Sequence, residues 1–308
     1  MMPGMLIEGK WTKEWKERNP NGSYNPKPTT FRNWITIDGT SGFQAEADRY
    51  HLYVALACPW AHRTLIMREL KGLQSVISVS MVDSVMGDRG WSFLDTPDPI
   101  NHGQYLSEIY LKADPNYTGR VTVPVLWDRQ RQTIVNHESY EIVRMFDVEF
   151  AAFAAPNTDF YPSELQQQIE VAIAAIATSI SRRVYEAGFT TAQTVYDAAV
   201  TDIFEQLDHW ETVLDQQRYL CGDRLTEADI GFFTTLVRFD SVYYSHFKCN
   251  LRRIVDYPNL WNYLKALYQW PEFRATCNLD QVKQSYYKSM PEINPNRIVP
   301  QGPLLNLG

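Results

Sequence analysis

The spacing of apolar positions changes along this chain, and the change divides it in two. Over residues 50–56, Tyr50, Leu52, Val54 and Leu56 alternate with other residues, which predicts a short strand. Residues 64–73 then carry Leu65, Ile66, Leu70 and Leu73 at helical spacing, with Gly72 near the end. Residues 76–82 form a second β-type run, and the order strand, helix, strand predicts a right-handed parallel unit. A further strand is predicted over 121–127, interrupted by Pro124. Residues 133–135 pair with it across a turn near 128–132, and a helix over 137–146 is opened by Asn136. From Ser163 onward the period is helical throughout, with long amphipathic stretches over 163–187, 192–214 and 226–245 and a shorter one over 261–267.

The remaining segments lack a period. Residues 1–46 are rich in Trp, Asn, Pro and Gly and read as an irregular arm packed through Trp11, Trp15, Phe31 and Trp34. Residues 83–119 form a long insertion holding Trp91 and a short helical piece at 106–112, and a loop of this length in a compact domain is usually functional or disordered. Residues 151–162, with Pro156, Asn157 and Pro162, read as a linker. The expected organisation is an arm (1–46), an α/β domain (47–150), an all-α domain (163–290) and an extended tail (291–308).

Composition narrows the class. The chain has 308 residues, 44% of them hydrophobic, which suffices for a sizeable core, and a formal charge of −7 that argues against nucleic acid. Four cysteines in this length make no disulfide scaffold, and without a signal peptide at the start a reducing cytoplasm is expected. The longest apolar run, 171–177, is too short to span a bilayer. The histidines and cysteines have no zinc spacing, so no metal is expected, and neither a Walker motif nor a Gly-x-Gly-x-x-Gly fingerprint occurs.

Candidate chemistry centres on Cys58-Pro59-Trp60-Ala61-His62-Arg63-Thr64. Cys58 falls where a strand hands over to a helix, and Pro59 suits the first helical turn, where no N–H is needed. The N–H groups of such a turn carry partial positive charge, which favours a thiolate, the nucleophilic form of cysteine. His62, four residues on, reads as a helix histidine rather than a base. Position 61 is alanine, so no resolving thiol follows one turn along, and disulfide exchange here needs an outside thiol, for which glutathione is the obvious candidate. Pro124 inside Thr122-Val123-Pro124-Val125 suggests a cis proline that turns the backbone of Val123 toward a peptide-like ligand. Glu138 and Ser139 open the next helix, where side chains and N–H groups can hold the carboxylate and amine of an amino-acid-like ligand. Thr226 and Asp229 have capping-box spacing and belong to folding rather than chemistry. Tyr185, Tyr286 and Tyr287 combine an aromatic wall with a hydroxyl, which suits a quinol or phenol.

Taken together these motifs resemble the glutathione transferase superfamily, in which Leu225-Thr226-Glu227-Ala228-Asp229 is a common helical cap. More narrowly, the Cys58–Thr64 motif is similar to that of glutathionyl-hydroquinone reductases, the Xi class, as are Trp91, the run from Gly119-Arg120 through Val123-Pro124 to Trp127, His137-Glu138-Ser139 and Ile293-Asn294-Pro295. Where that family often has His before the late Tyr pair, this chain reads Gln284-Ser285-Tyr286-Tyr287. The resemblance implies a thioredoxin-like first domain and an all-helical second one. It implies a dimer through the helical domain and a glutathione-dependent reductase in which Cys58 attacks the sulfur of a bound glutathionyl group. It also implies that Trp91, Arg120, Val123, Pro124, Glu138 and Ser139 hold glutathione, and that Tyr185, Tyr287 and Tyr286 line the quinol pocket. The alternatives are another Cys-type thiol reductase, acting on dehydroascorbate or glutathionylated proteins, and a glutathione-binding protein without activity. Cys58 favours deglutathionylation over conjugation, because conjugation uses glutathione's own thiolate.

Overall fold

The structure, a computed structural model, describes residues 4–13, 29–156 and 158–308; Trp15 and Asn157 lie outside them. Two compact units divide between Thr158 and Asp159. The first holds the described residues up to Thr158 together with 288–290, and the second holds 159–287 and 291–308.

The first unit is built on a four-stranded mixed sheet in the order β4-β3-β6-β7. Strand β3 (Tyr50–Val54) is buried along its whole length, so its alternation marks two covered faces rather than one wet face. It pairs in parallel with β4 (Ser78–Met81), His51 opposite Ser78, and antiparallel with β6 (Val125–Asp128), Leu52 opposite Leu126. Strand β7 (Thr133–Asn136) closes the hairpin, in which Leu126 faces Asn136. Helix α1 (Pro59–Leu70) connects β3 to β4 and packs on α3 (Ser139–Val148).

Three expectations for this unit are corrected. The arm is not irregular throughout, since β1 (Met5–Ile7) and β2 (Lys10–Thr12) form a hairpin. Its two-residue turn, Glu8-Gly9, has positive φ at both positions, the geometry that matches strand twist in tight hairpins. Next, 121–127 is not one strand. Gly119–Arg120 (β5) joins β1 in a second, three-stranded sheet, and pairing in the main sheet resumes only at Val125, because proline has no N–H to give a ladder. Last, the helix after β7 starts at Ser139 with Glu138 as its cap, and Asn136 instead accepts the Glu138 N–H through Oδ1 at 2.7 Å. Within the insertion, α2 runs from Leu106 to Ala113.

The second unit is helical: α4 (Gln166–Ile176), α5 (Arg183–Phe189), α6 (Gln193–Gln216), α7 (Glu227–Arg238), α8 (Pro258–Tyr268), α9 (Pro271–Arg274) and α10 (Leu279–Ser289). The stretch over 163–187 is interrupted by a π-turn at Ala177–Ser181, and that over 226–245 by another at Phe239–Tyr243. Such single-turn insertions are too short for a hydrophobic pattern to single them out. Among the described residues no helix is long and apolar enough to cross a membrane.

Candidate active site

Cys58 is the N-cap of α1, in extended backbone, with Pro59 in the first turn. Its N–H donates to the Ala55 carbonyl at 3.0 Å, and its carbonyl accepts the His62 N–H at 2.9 Å, closing the first turn. The Cys58 Sγ lies 3.4 Å from the Val123 carbonyl oxygen. The Val123–Pro124 peptide is cis. The thiol, two separate chain segments and a helix N-terminus therefore meet in one place. Among the other three cysteines, burial pushes the pKa of Cys221 up to about 11 and those of Cys249 and Cys277 up to about 12. Thiols held that high stay protonated and unreactive near neutral pH.

The other residues expected to hold glutathione also lie in the first unit. Ser139 is buried at the first turn of α3, and Glu138, half-buried, caps that helix. Arg63, one turn after Cys58 on α1, is buried, with Nη1 3.5 Å from Ser139 Oγ and its guanidinium 4.3 Å from the centre of the Tyr140 ring. Its Nε and Nη2 have no hydrogen-bond partner among the described residues. A buried cation with two unsatisfied donors beside a serine at a helix start suits a carboxylate brought by a ligand. Arg120 lies on β5, paired with Met5. Trp91 is buried in the insertion, and its carbonyl accepts the Leu106 N–H at 3.0 Å. His62 is buried within α1.

The loop that carries Trp91 is held from two sides. Asp83 accepts hydrogen bonds from Ser92 Oγ (2.5 Å) and from the N–H groups of Leu94, Asp95 and Thr96 (2.8, 3.0 and 3.3 Å). From β2, Trp11 donates through Nε1 to the Asp88 carbonyl at 3.2 Å, and its ring lies where a side chain on Gly90 would go. Trp11 was expected to pack the arm, but its place beside Gly90 was not legible, and Asp83 did not stand out, because a single Asp in an aperiodic stretch carries no local signal.

In the second unit, Tyr185 on α5 meets Tyr286 on α10 with hydroxyl oxygens 2.5 Å apart. Phe247 packs against both rings, at 5.4 and 5.8 Å between centroids. Gly188 makes room for it, since a Cβ there would fall 2.4 Å from the Phe247 ring. Tyr287 takes another direction, its hydroxyl 2.5 Å from Ser245 Oγ and its ring 4.5 Å from that of His246. Tyr185 and Tyr286 thus form a pair that Tyr287 does not join. Among the described residues no group of three or more His, Cys, Asp or Glu stands where it could hold a metal ion.

Two family models match the chain: the glutathione S-transferase N-terminal domain over residues 57–149 and the glutathione S-transferase C-terminal domain over 193–266. The glutathionyl-hydroquinone reductase YqjG of Escherichia coli (strain K12) is 49% identical over 316 residues, covering 99% of this chain and 96% of that protein. An Xi class glutathione transferase from Natrialba magadii superposes with a TM-score of 0.93 at 49% identity, over 99% of this chain and 94% of that one. The glutathione-bound structure of YqjG superposes with a TM-score of 0.91 at 48% identity, over 99% and 97% of the two chains. Identity near one half, sustained over almost the whole of both chains, goes well beyond a shared fold, and this chain belongs to the glutathione transferase family, within the Xi class of glutathionyl-hydroquinone reductases.

Proposed function

We propose that this protein uses glutathione to reduce glutathionyl-hydroquinones, with Cys58 as the nucleophile. The observation that carries the assignment is Cys58 itself, an N-cap thiol 3.4 Å from the Val123 carbonyl with alanine in place of a resolving cysteine. In the first step the Cys58 thiolate attacks the sulfur of the glutathionyl group. The new S–S bond forms as the C–S bond breaks, and the electron pair of that bond goes to the ring carbon, which takes up a proton and leaves as hydroquinone. In the second step a second glutathione thiolate attacks the glutathione sulfur of the mixed disulfide. Glutathione disulfide leaves and the Cys58 thiolate returns. The balance is one glutathionyl-hydroquinone and one glutathione giving one hydroquinone and one glutathione disulfide.

Glutathione fits the residues present. Its backbone pairs with Val123, which the Pro124 peptide turns toward it. Its γ-glutamyl end meets Glu138 and Ser139, where the buried Arg63 supplies positive charge behind Ser139. Trp91 and Arg120 complete its contacts. The Tyr185–Tyr286 pair, with Tyr287 turned toward Ser245, is suited to a phenol ring and to donating a proton toward its oxygen. As in the resemblance, two copies assemble through the helical unit, and the reaction belongs in a cytoplasm that keeps glutathione reduced.

The test is glutathione-dependent reduction of a glutathionyl-hydroquinone, with the intact mass followed during turnover. A transient glutathione adduct that maps to Cys58 is expected. Cys58→Ser is expected to lose at least about a thousandfold in kcat while keeping its melting temperature, because the thiol is the nucleophile of the first step and the leaving group of the second. Turnover in that variant within tenfold of the parent sinks the mechanism. A stable adduct without turnover assigns the site to a different leaving group.

A further inference from the structure

Tyr110 lies on α2, inside the long insertion, and is buried. Its hydroxyl meets three groups: the Thr122 carbonyl at 2.8 Å, the Thr122 amide nitrogen at 3.3 Å and His137 Nδ1 at 2.9 Å. A phenol has one proton to give and two lone pairs to receive. The carbonyl can only accept, so it takes the proton, and the Thr122 N–H and the imidazole N–H donate to the oxygen. His137 is therefore the Nδ1–H tautomer, and burial, which pushes its pKa down to about 3, keeps the ring neutral. Phe31 packs edge-on against both rings, with centroids at 6.1 and 5.6 Å.

The two residues joined through this oxygen occupy informative positions. Thr122 directly precedes Val123, whose carbonyl faces the Cys58 thiol. His137 directly precedes Glu138 and Ser139. Both lie past the open end of the β6–β7 hairpin, whose pairing stops at Leu126 opposite Asn136. Strand pairing therefore does not set how far apart residues 122–124 and 137–139 stand.

We infer that Tyr110 and His137 form a clasp across the open end of this hairpin, fixing the separation of the two segments that hold glutathione, so that Tyr110 is a positioning residue for glutathione binding. The inference rests on the assignment of Val123, Glu138 and Ser139 to glutathione. It also gives the insertion a task, which is to deliver one oxygen to a point between two ligand-holding segments. Removing that oxygen leaves the Thr122 amide and carbonyl and the imidazole without their shared partner, and the bound ligand must then restore the spacing at the expense of its own affinity. Cys58 stays on α1, so the chemical step at saturation is preserved.

The experiment uses the full chain and compares Tyr110→Phe, His137→Asn, His137→Leu and Trp91→Ala with the parent. KM for glutathione, kcat with a glutathionyl-hydroquinone and the melting temperature are measured for each. Tyr110→Phe is expected to raise KM about tenfold with kcat within about threefold, the pattern of lost uniform binding. His137→Asn keeps an N–H donor near the Nδ1 position and is expected to hold KM within about threefold of the parent, whereas His137→Leu matches Tyr110→Phe. A packing role predicts the opposite order, because leucine fills an aromatic cluster better than asparagine. A folded Tyr110→Phe with KM within twofold of the parent overturns the clasp, as does a matching fall in kcat or a leucine variant better than the asparagine one. If Tyr110→Phe fails to fold, the two His137 variants decide. When Trp91→Ala raises KM and Tyr110→Phe does not, the clasp fails alone. When neither raises KM, the assignment of the glutathione site fails with it.

Discussion

Asp83 illustrates how one side chain orders a long loop. Its buried carboxylate takes four donors, one hydroxyl and three backbone N–H groups, from residues 92–96. Asp98 does the same further along, accepting from Tyr53 Oη at 3.0 Å and from the N–H groups of Ile100, Asn101 and Gly103. Hydrogen bonds to a charged acceptor are stronger than neutral ones, and orphaning buried donors costs further free energy. Asp83→Ala is therefore expected to destabilise the protein by about 3 kcal/mol or more. Urea unfolding measures it, and a loss under 1 kcal/mol would mean that water replaces the carboxylate. At this scale sequence reading reached Cys58, whose neighbours Pro59 and Ala61 give it a local signature. It did not reach Asp83 or Tyr110, whose partners stand 9 and 12 positions away, and it named Arg63 in the Cys58 motif without its contact to Ser139, 76 positions away.

At the scale of elements, helix α7 shows what short-range chemistry can specify. Thr226 caps it, and Asp229 closes the box by accepting the Thr226 N–H at 2.8 Å. The tertiary structure adds two partners, since Asp229 Oδ1 also accepts from the Leu220 N–H at 2.9 Å and from Tyr263 Oη at 2.8 Å. Thr226→Ala is expected to cost about 1 kcal/mol, as an ordinary cap does. Asp229→Ala is expected to cost about 3 kcal/mol, because it also orphans a hydroxyl on α8 and the Leu220 amide. Denaturant midpoints for the two variants separate these costs, and equal costs would reduce Asp229 to a simple cap. The start of α1 and the existence of α2 were likewise legible, as local patterns. The β1–β2 hairpin was not, because its two strands have three residues each and too few positions to show a period. Nor were the two π-turns.

For the whole molecule, both units carry histidines buried in the neutral form. Burial pushes His51 and His246 down to about 4 and His137 to about 3. Against an unfolded value near 6.5, the unfolded chain binds more protons below that pH, so this contribution is complete above about 6.5 and is lost as pH falls toward 4. Asp229 and Asp240 work the other way. Burial raises both, so their contribution is present at low pH and is lost as pH rises through the raised values. The melting temperature is expected to fall between pH 7 and pH 5. His51, bridging Ser78 Oγ at 2.7 Å and Ser80 Oγ at 2.9 Å, accounts for up to about 1.4 kcal/mol per pH unit of that slope. His51→Asn, which cannot titrate there, should flatten the slope, and an unchanged slope removes His51 from it.

The change from strand period to helical period, the Cys-Pro-x-Ala turn and the cap of α7 follow from residues within a few positions of one another, and the amino-acid sequence alone determines them. Tertiary structure decides the rest. It makes β5 a partner of the N-terminal hairpin rather than part of β6, pairs Tyr185 with Tyr286 rather than Tyr287, brings Arg63 beside Ser139 and sets Tyr110 between Thr122 and His137. The physical reason is range. A helix cap or turn is settled by a handful of dihedral angles and one or two local hydrogen bonds. A buried polar group must find its partner wherever the packed chain brings one, and that place is written in no short stretch of sequence.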